Sequence, residues 1–249
     1  QTLSILLLGG TADAKQLANK LTQQNLNITY SQQGSVRTPT LPCPVISGGF
    51  SQYAHDGING LEHYCKQHKI SQIIDATHPY AEQMSKHANL VATRLAIKLV
   101  QLYRSPWQAT EQDNWTTFES LSTLPEHIKQ YQRPFFTVGQ SVSQLTQYKT
   151  NAQTWLVRQI APEDTQQARV EVIHAMGPFS VTDEIQLMRS HKIDVLISKN
   201  SGGQMSFAKI EAARALNLPV FMLKRPNFKQ THHCFNRIQD CVNACTSTT

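Results

Sequence analysis

The stretch LSILLLGGTADAKQLANKL, residues 3–21, decides the fold. Leu3–Leu8 is an unbroken apolar run, the pattern of a strand buried on both faces. Gly9-Gly10-Thr11 ends it, and Ala14, Leu17, Ala18 and Leu21 then recur at helical spacing. Strand, glycine turn and amphipathic helix make the opening half of a βαβ unit. The same grammar repeats downstream. Asn27–Tyr30, Gln72–Ala76 and Lys98–Tyr103 read as strands, with helices over Gly60–His68 and along the Tyr80, Met84, Ala88, Val91, Leu95 face. Phe135–Val138, Thr154–Val157, Val170–His174, Val195–Ser198 and Val220–Leu223 read as further strands. Ser180 and Asp183 form a capping pattern for one late helix, and Met205–Leu216 is another. The pattern breaks at Arg104-Ser105-Pro106-Trp107, so the reading divides the chain into residues 1–106 and 107–249. The expected fold is α/β: two Rossmann-like, doubly wound parallel-sheet domains with an inter-domain cleft.

Composition narrows the function classes. The chain has 249 residues, 40% hydrophobic and 16% charged, enough apolar content for two cores and too much for disorder. No apolar run reaches the roughly 18 residues of a membrane helix, and no signal-peptide pattern precedes the first strand, so a soluble, cytoplasmic protein is expected. The net charge of +6 favours anionic partners. The cations are scattered and no nucleic-acid module is present, which points away from DNA or RNA and toward a small anionic ligand. Five cysteines without a CxxC pair match no common zinc pattern, so no metal is expected in the region of His232, His233, Cys234, Cys241 and Cys245. Ile238, Cys241, Val242 and Cys245 instead fall on one face of a terminal helix.

Ligands of open parallel sheets lie beyond the carboxyl ends of the strands, so the strand-end loops carry the candidate chemistry. Gly9-Gly10-Thr11 could bring backbone amides to a phosphate, although the pattern lacks the third glycine of GxGxxG and a plain capped turn accounts for the same residues. After the second strand come Ser31, Gln32, Ser35, Arg37 and Thr38, with no Asp or Glu between Asp13 and Asp56. A dinucleotide bound there would be NADPH rather than NADH, because no carboxylate is available for the ribose hydroxyls. Asp75-Ala76-Thr77-His78-Pro79 joins a strand to a helix, with Asp75 holding the loop and His78 a candidate ligand contact. Lys199-Asn200-Ser201-Gly202-Gly203 gathers a cation, an amide, a hydroxyl and two glycines in five residues. Such a loop can bind phosphate, carboxylate or carboxamide, and it is not a Walker A loop because the lysine precedes the glycines.

Taken in order, these motifs resemble the precorrin-6A reductase family of cobalamin biosynthesis, including its cobalt-precorrin-6A branch. The resemblance runs through Gly9-Gly10-Thr11, Gly48-Gly49-Phe50, Asp75 to Pro79, Arg104 to Trp107, and Gly177-Pro178-Phe179 with Glu184. It continues through Lys199 to Gly203, Lys209 with Ala212-Ala213-Arg214, Pro219-Val220 and Arg225-Pro226. Gln140 departs from an expected arginine, and Phe50-Ser51-Gln52 replaces a glycine-richer run. The resemblance implies a reductase that uses NADPH to saturate the C18–C19 double bond of precorrin-6A, giving precorrin-6B. It implies cofactor contacts from Gly9, Gly10, Thr11, Ser35, Arg37, Thr77, Asn200, Ser201 and Gly202. It implies substrate contacts from Arg104, Lys199 and Arg225, with Arg158 as a further cation, because the substrate is rimmed by carboxylates. His78 and Lys199 are the catalytic candidates for the proton that accompanies the hydride, and other corrin-pathway enzymes are candidate partners. The alternatives are cobalt-precorrin-6A as substrate, another enzyme on the same scaffold, or a non-catalytic NADP-binding protein.

Overall fold

The structure, a computed structural model, describes residues 3–34, 37–150, 152–160, 166–227 and 233–247. The chain forms two compact units, residues 1–105 with 226–249, and residues 106–225. The first contains β1 (Ser4–Leu8), α1 (Ala12–Gln23), β2 (Asn27–Gln32), β3 (Val45–Ser47), α2 (Gly57–Gln67), β4 (Gln72–Asp75), α3 (Glu82–Leu95) and β5 (Lys98–Leu102). The second contains β6 (Trp115–Phe118), α4 (Leu124–Ile128), β7 (Pro134–Thr137), α5 (Val142–Leu145), β8 (Trp155–Gln159), β9 (Val170–His174), α6 (Val181–Ser190), β10 (Val195–Lys199), α7 (Ala208–Ala215) and β11 (Val220–Leu223). The chain then returns to the first unit with β12 (Cys234–Phe235) and α8 (Ile238–Thr246).

Each unit is built on one six-stranded sheet, and every described strand pairing in both is parallel. The first sheet has the order β12-β5-β4-β1-β2-β3, which is the dinucleotide-fold order with β12 as its sixth strand. The second has the order β6-β11-β10-β7-β8-β9. Both sheets bury both faces, as parallel sheets must. In the first, Ile5, Leu7, Ile74 and Val100 pack against α1 and α8, while Leu6, Leu8, Ile73 and Leu99 pack against α2 and α3. In the second, Phe136, Trp155 and Val157 lie under α4 and α5, and Phe135, Leu156 and Leu196 lie under α6 and α7.

The sequence boundary kept residues 107–249 together, and the structure moves 226–249 into the first unit. The reason is the uncovered sheet face. The apolar surface of Val100 and Leu102 is closed by Cys241, Val242 and Cys245 of α8, while β12 pairs with β5 at Gln101 and Leu102. Burial pushes the Cys241 thiol up to about 12 and the Cys245 thiol up to about 11, so both act as small core hydrophobes. His232 lies outside the described residues. Three strands went unread, β3, β6 and β12, each four residues or shorter. Two helices begin later than their spacing suggests. In α3, Ala81 N–H first closes a turn onto the His78 carbonyl, and in α7 a turn from Gln204 to Phe207 precedes the helix.

Val242→Ala tests the role of α8. It should lower stability by about 2 kcal/mol through lost burial and a residual cavity. Hydrogen exchange should show reduced amide protection in α1 and β5 while β7 and β8 keep theirs.

Candidate functional site

In the first sheet the order reverses between β1 and β4, so the loops that follow these two strands flank the switch point where such folds bind ligands. They are 9–11 and 76–79. Gly9 is required by close approach: a Cβ there would stand 2.2 Å from the Tyr30 ring. Gly10, with φ of 110°, donates its N–H to the Tyr30 hydroxyl at 2.8 Å. The backbone is thereby pulled against β2, leaving an open edge where a large group can come close. The Thr11 hydroxyl accepts from Ala14 N–H at 3.1 Å and donates to the Ala76 carbonyl at 2.9 Å. One side chain thus caps α1 and ties the two switch-point loops together.

Asp75, 4% exposed at the end of β4, organises the second loop. Its Oδ1 accepts from the N–H and the hydroxyl of Thr77 at 3.1 and 2.6 Å, and its Oδ2 accepts from the Ser85 hydroxyl at 2.6 Å. This fixes Thr77 and presents His78, which is half-buried. Tyr80 N–H donates to His78 Nδ1 at 3.2 Å, so in the neutral ring the proton sits on Nε2. Small hollows flank Thr77 and Pro79, one toward Thr11, Asp13 and Arg104, the other toward His78, Gln101 and Tyr103.

Arg104 pairs with Asp13 at 2.7 Å. Asp13 sits in the first turn of α1, where its charge would repel an incoming anion, and the guanidinium cancels it. Arg37 is exposed just beyond β2, and its carbonyl accepts from Gln32 Nε2 at 3.4 Å. Ser35 lies outside the described residues.

In the second unit the chain runs outward through β7, β8 and β9, then returns to place β10 on the other side of β7. The switch point is therefore between β7 and β10, flanked by residues 138–141 and 199–203. Lys199 Nζ lies 3.7 Å from where a Cβ on Gly139 would stand, and burial lowers the pKa of this ammonium. Asn200 is engaged by the backbone. Its Oδ1 accepts from Trp107 N–H at 2.7 Å and its Nδ2 donates to the Trp107 carbonyl at 3.0 Å. Trp107 Nε1 donates to the Gly203 carbonyl at 2.7 Å, and Arg225 Nε to the Asn200 carbonyl at 2.8 Å. The loop thus fastens Trp107 and Arg225, which stand at the two ends of this unit. Ser201 and Gly202 are buried beside them.

Arg158, read as a cation facing a ligand, has a different setting. Its two terminal nitrogens grip Glu184 of α6 at 2.6 and 2.9 Å, and its guanidinium lies 3.9 Å from the Phe179 ring centroid. The pair is 9% and 2% exposed and neutral as a unit. Sequence reading also missed Tyr30 as the clamp on the glycine turn, and the burial of Lys209 in the first turn of α7. A lysine that shares a helix face with Ala212 and Ala213 was the available signal for the latter.

The sequence pattern of the family described as precorrin-6x reductase CbiJ/CobK matches residues 4–246. The precorrin-6A reductase of Rhodococcus erythropolis is 39% identical over 227 residues, covering 89% of each chain. The cobalt-precorrin-6A reductase of Priestia megaterium is 27% identical over 242 residues, covering 90% of this chain and 91% of the relative. A solved CobK precorrin-6A reductase superposes with a TM-score of 0.87 at 29% identity, over 98% of this chain and 96% of that one. The chain belongs to the CbiJ/CobK precorrin-6x reductase family.

Proposed function

We propose that this reductase acts on metal-free precorrin-6A, saturating its C18–C19 double bond with a hydride from NADPH to give precorrin-6B. The carrying observation is the first unit's switch point, where a clamped glycine turn meets a β2 end that offers Arg37 and no carboxylate. The residues present fit a phosphorylated dinucleotide. Gly9 and Gly10 leave room for a pyrophosphate against the start of α1, and Arg104 removes the repulsion of Asp13. Arg37 and Ser35 are assigned to the ribose phosphate. The nicotinamide, when bound, supplies the hydride. Thr77, held by Asp75, shapes the floor of the site.

The chain's own residues hold the substrate and supply the proton. Precorrin-6A combines an apolar ring with a rim of carboxylates. The second unit offers both complements at its carboxyl edge: Lys199 and Arg225 for the rim, and exposed Ile160, Met176 and Met205, just past β8, β9 and β10, for the ring. Reduction of the double bond delivers hydride to one carbon and a proton to its neighbour. His78 can give a proton only as the imidazolium, whereas Lys199 gives one as its ammonium, more readily than an exposed lysine because burial weakens its hold. The metal-free substrate is preferred because the relative named for it is the more similar of the two.

The pairing of substrate and cofactor is tested by an anaerobic absorbance assay with precorrin-6A or its cobalt form, each with NADPH or NADH. Fastest turnover should come from precorrin-6A with NADPH. Arg37→Glu should raise the dissociation constant for NADPH more than that for NADH, and equal effects would remove Arg37 from the phosphate. Lys199→Ala should reduce kcat/KM more than tenfold, a loss of about 1.4 kcal/mol or more in transition-state binding. Unchanged steady-state constants would take Lys199 out of the site.

A further inference from the structure

We propose that Tyr30 is a positioning residue for the cofactor: its hydroxyl sets the Gly9-Gly10 turn in the shape that receives the dinucleotide before the ligand arrives. The inference deepens the placement of NADPH at the first unit's switch point and rests on it. Both amides of the turn are spent on β2. Gly9 N–H donates to the Ser31 carbonyl at 2.8 Å, and Gly10 N–H donates to the Tyr30 hydroxyl at 2.8 Å. The glycines therefore give a ligand clearance rather than donors. Tyr30 is a fixed post for its bond. It lies opposite Leu7 of β1 and Val45 of β3, and its own N–H donates to the Pro44 carbonyl at 2.9 Å. It is 0% exposed and belongs to the core cluster of Ile5, Leu17 and Val242.

Glycine has more backbone freedom than any other residue, and two in succession leave a turn with many shapes. Gly10 stands at a φ of 110°, which residues with side chains rarely adopt, and the bond to Tyr30 keeps it there. Ring and turn are also matched in space. A Cβ on Gly9 would stand 2.2 Å from Tyr30 Cζ and 2.4 Å from the hydroxyl oxygen, so the ring fills the volume that a side chain at residue 9 would need. A Cβ on Gly10 would meet nothing within 4 Å, so the turn is held from the β2 side and open at Gly10. A phenylalanine would serve the core equally well, and the hydroxyl is explained by the turn it holds. A turn ordered in advance spares the ligand the entropy of ordering it, and that saving appears as affinity.

The test compares wild type with Tyr30→Phe, Gly9→Ala, the double variant, and Tyr64→Phe. The last deletes the hydroxyl of a buried tyrosine of α2, in the cluster on the other face of the sheet. In the ligand-free protein, hydrogen exchange at the Gly10 amide should quicken about tenfold in Tyr30→Phe and stay unchanged in Tyr64→Phe. Tyr30→Phe should raise the NADP dissociation constant and the NADPH KM about fivefold or more, with kcat and the precorrin-6A KM within about twofold of wild type. Gly9→Ala, which drives the ring from the turn, should weaken NADP as well. The double variant should bind no worse than the worse single one, because both changes break the same bond. The proposal is overturned if Gly10 exchange is unchanged in Tyr30→Phe, or if that variant binds NADP like wild type. It is equally overturned if Tyr30→Phe weakens precorrin-6A as much as NADP, lowers kcat, or loses its cooperative melt, each of which makes Tyr30 a core residue only. If Gly9→Ala weakens NADP and Tyr30→Phe does not, the clamp alone fails. If neither changes NADP binding, the placement of the dinucleotide at this turn fails with it.

Discussion

A parallel sheet has no face it can leave to water, and the first unit satisfies that demand only with residues from the far end of the chain. Helix α1 alone does not cover the surface of Val100 and Leu102, so α8 must return across it with Cys241, Val242 and Cys245. The second unit is in consequence an insertion between β5 and β12 of the first. Both of its ends, Trp107 and Arg225, are tied to one loop, 199–203, so the segment richest in binding groups also closes the insertion. Architecture and chemistry therefore meet at Asn200, whose carboxamide holds Trp107 at both of its polar atoms.

The legibility of the chain followed the range of the interactions concerned. Val170–His174 and Val220–Leu223 were read with their observed bounds because β-branched runs between polar turns carry their own signal. Ser180 was read as a helix cap for the same local reason, and its hydroxyl does accept from Asp183 N–H at 3.1 Å. β12 has two residues and no pattern of its own. It exists because β5 offers it an edge, with Gln101 N–H reaching the His233 carbonyl at 2.8 Å. The start of α3 was misplaced because Pro79 favours a first helical turn, whereas here it sits in a separate turn, closed by Ala81 N–H on the His78 carbonyl, and the helix begins only at Glu82.

The candidate site divides in the same way. Its loops were visible, since a glycine pair after a buried strand or a lysine before glycines is a local pattern. The pairings were not. Tyr30 and Gly10 are 20 positions apart, Arg104 and Asp13 are 91, and Arg158 and Glu184 are 26. Sequence reading therefore found the cations and assigned each to a ligand, when two of them answer to carboxylates of the chain itself.

Those two ion pairs set the electrostatic character of the edges. In the first unit Asp13 is matched by Arg104, and Asp75 is satisfied by hydroxyls and an amide, so neither carboxylate is left as a bare charge at the edge. In the second, Arg158 and Glu184 neutralise each other within the sheet-and-helix core. Arg158 grips Glu184 with two hydrogen bonds and stacks on Phe179, so this buried guanidinium is satisfied within the chain and joins β8 to α6, which is why a cation at a strand end need not answer to a ligand.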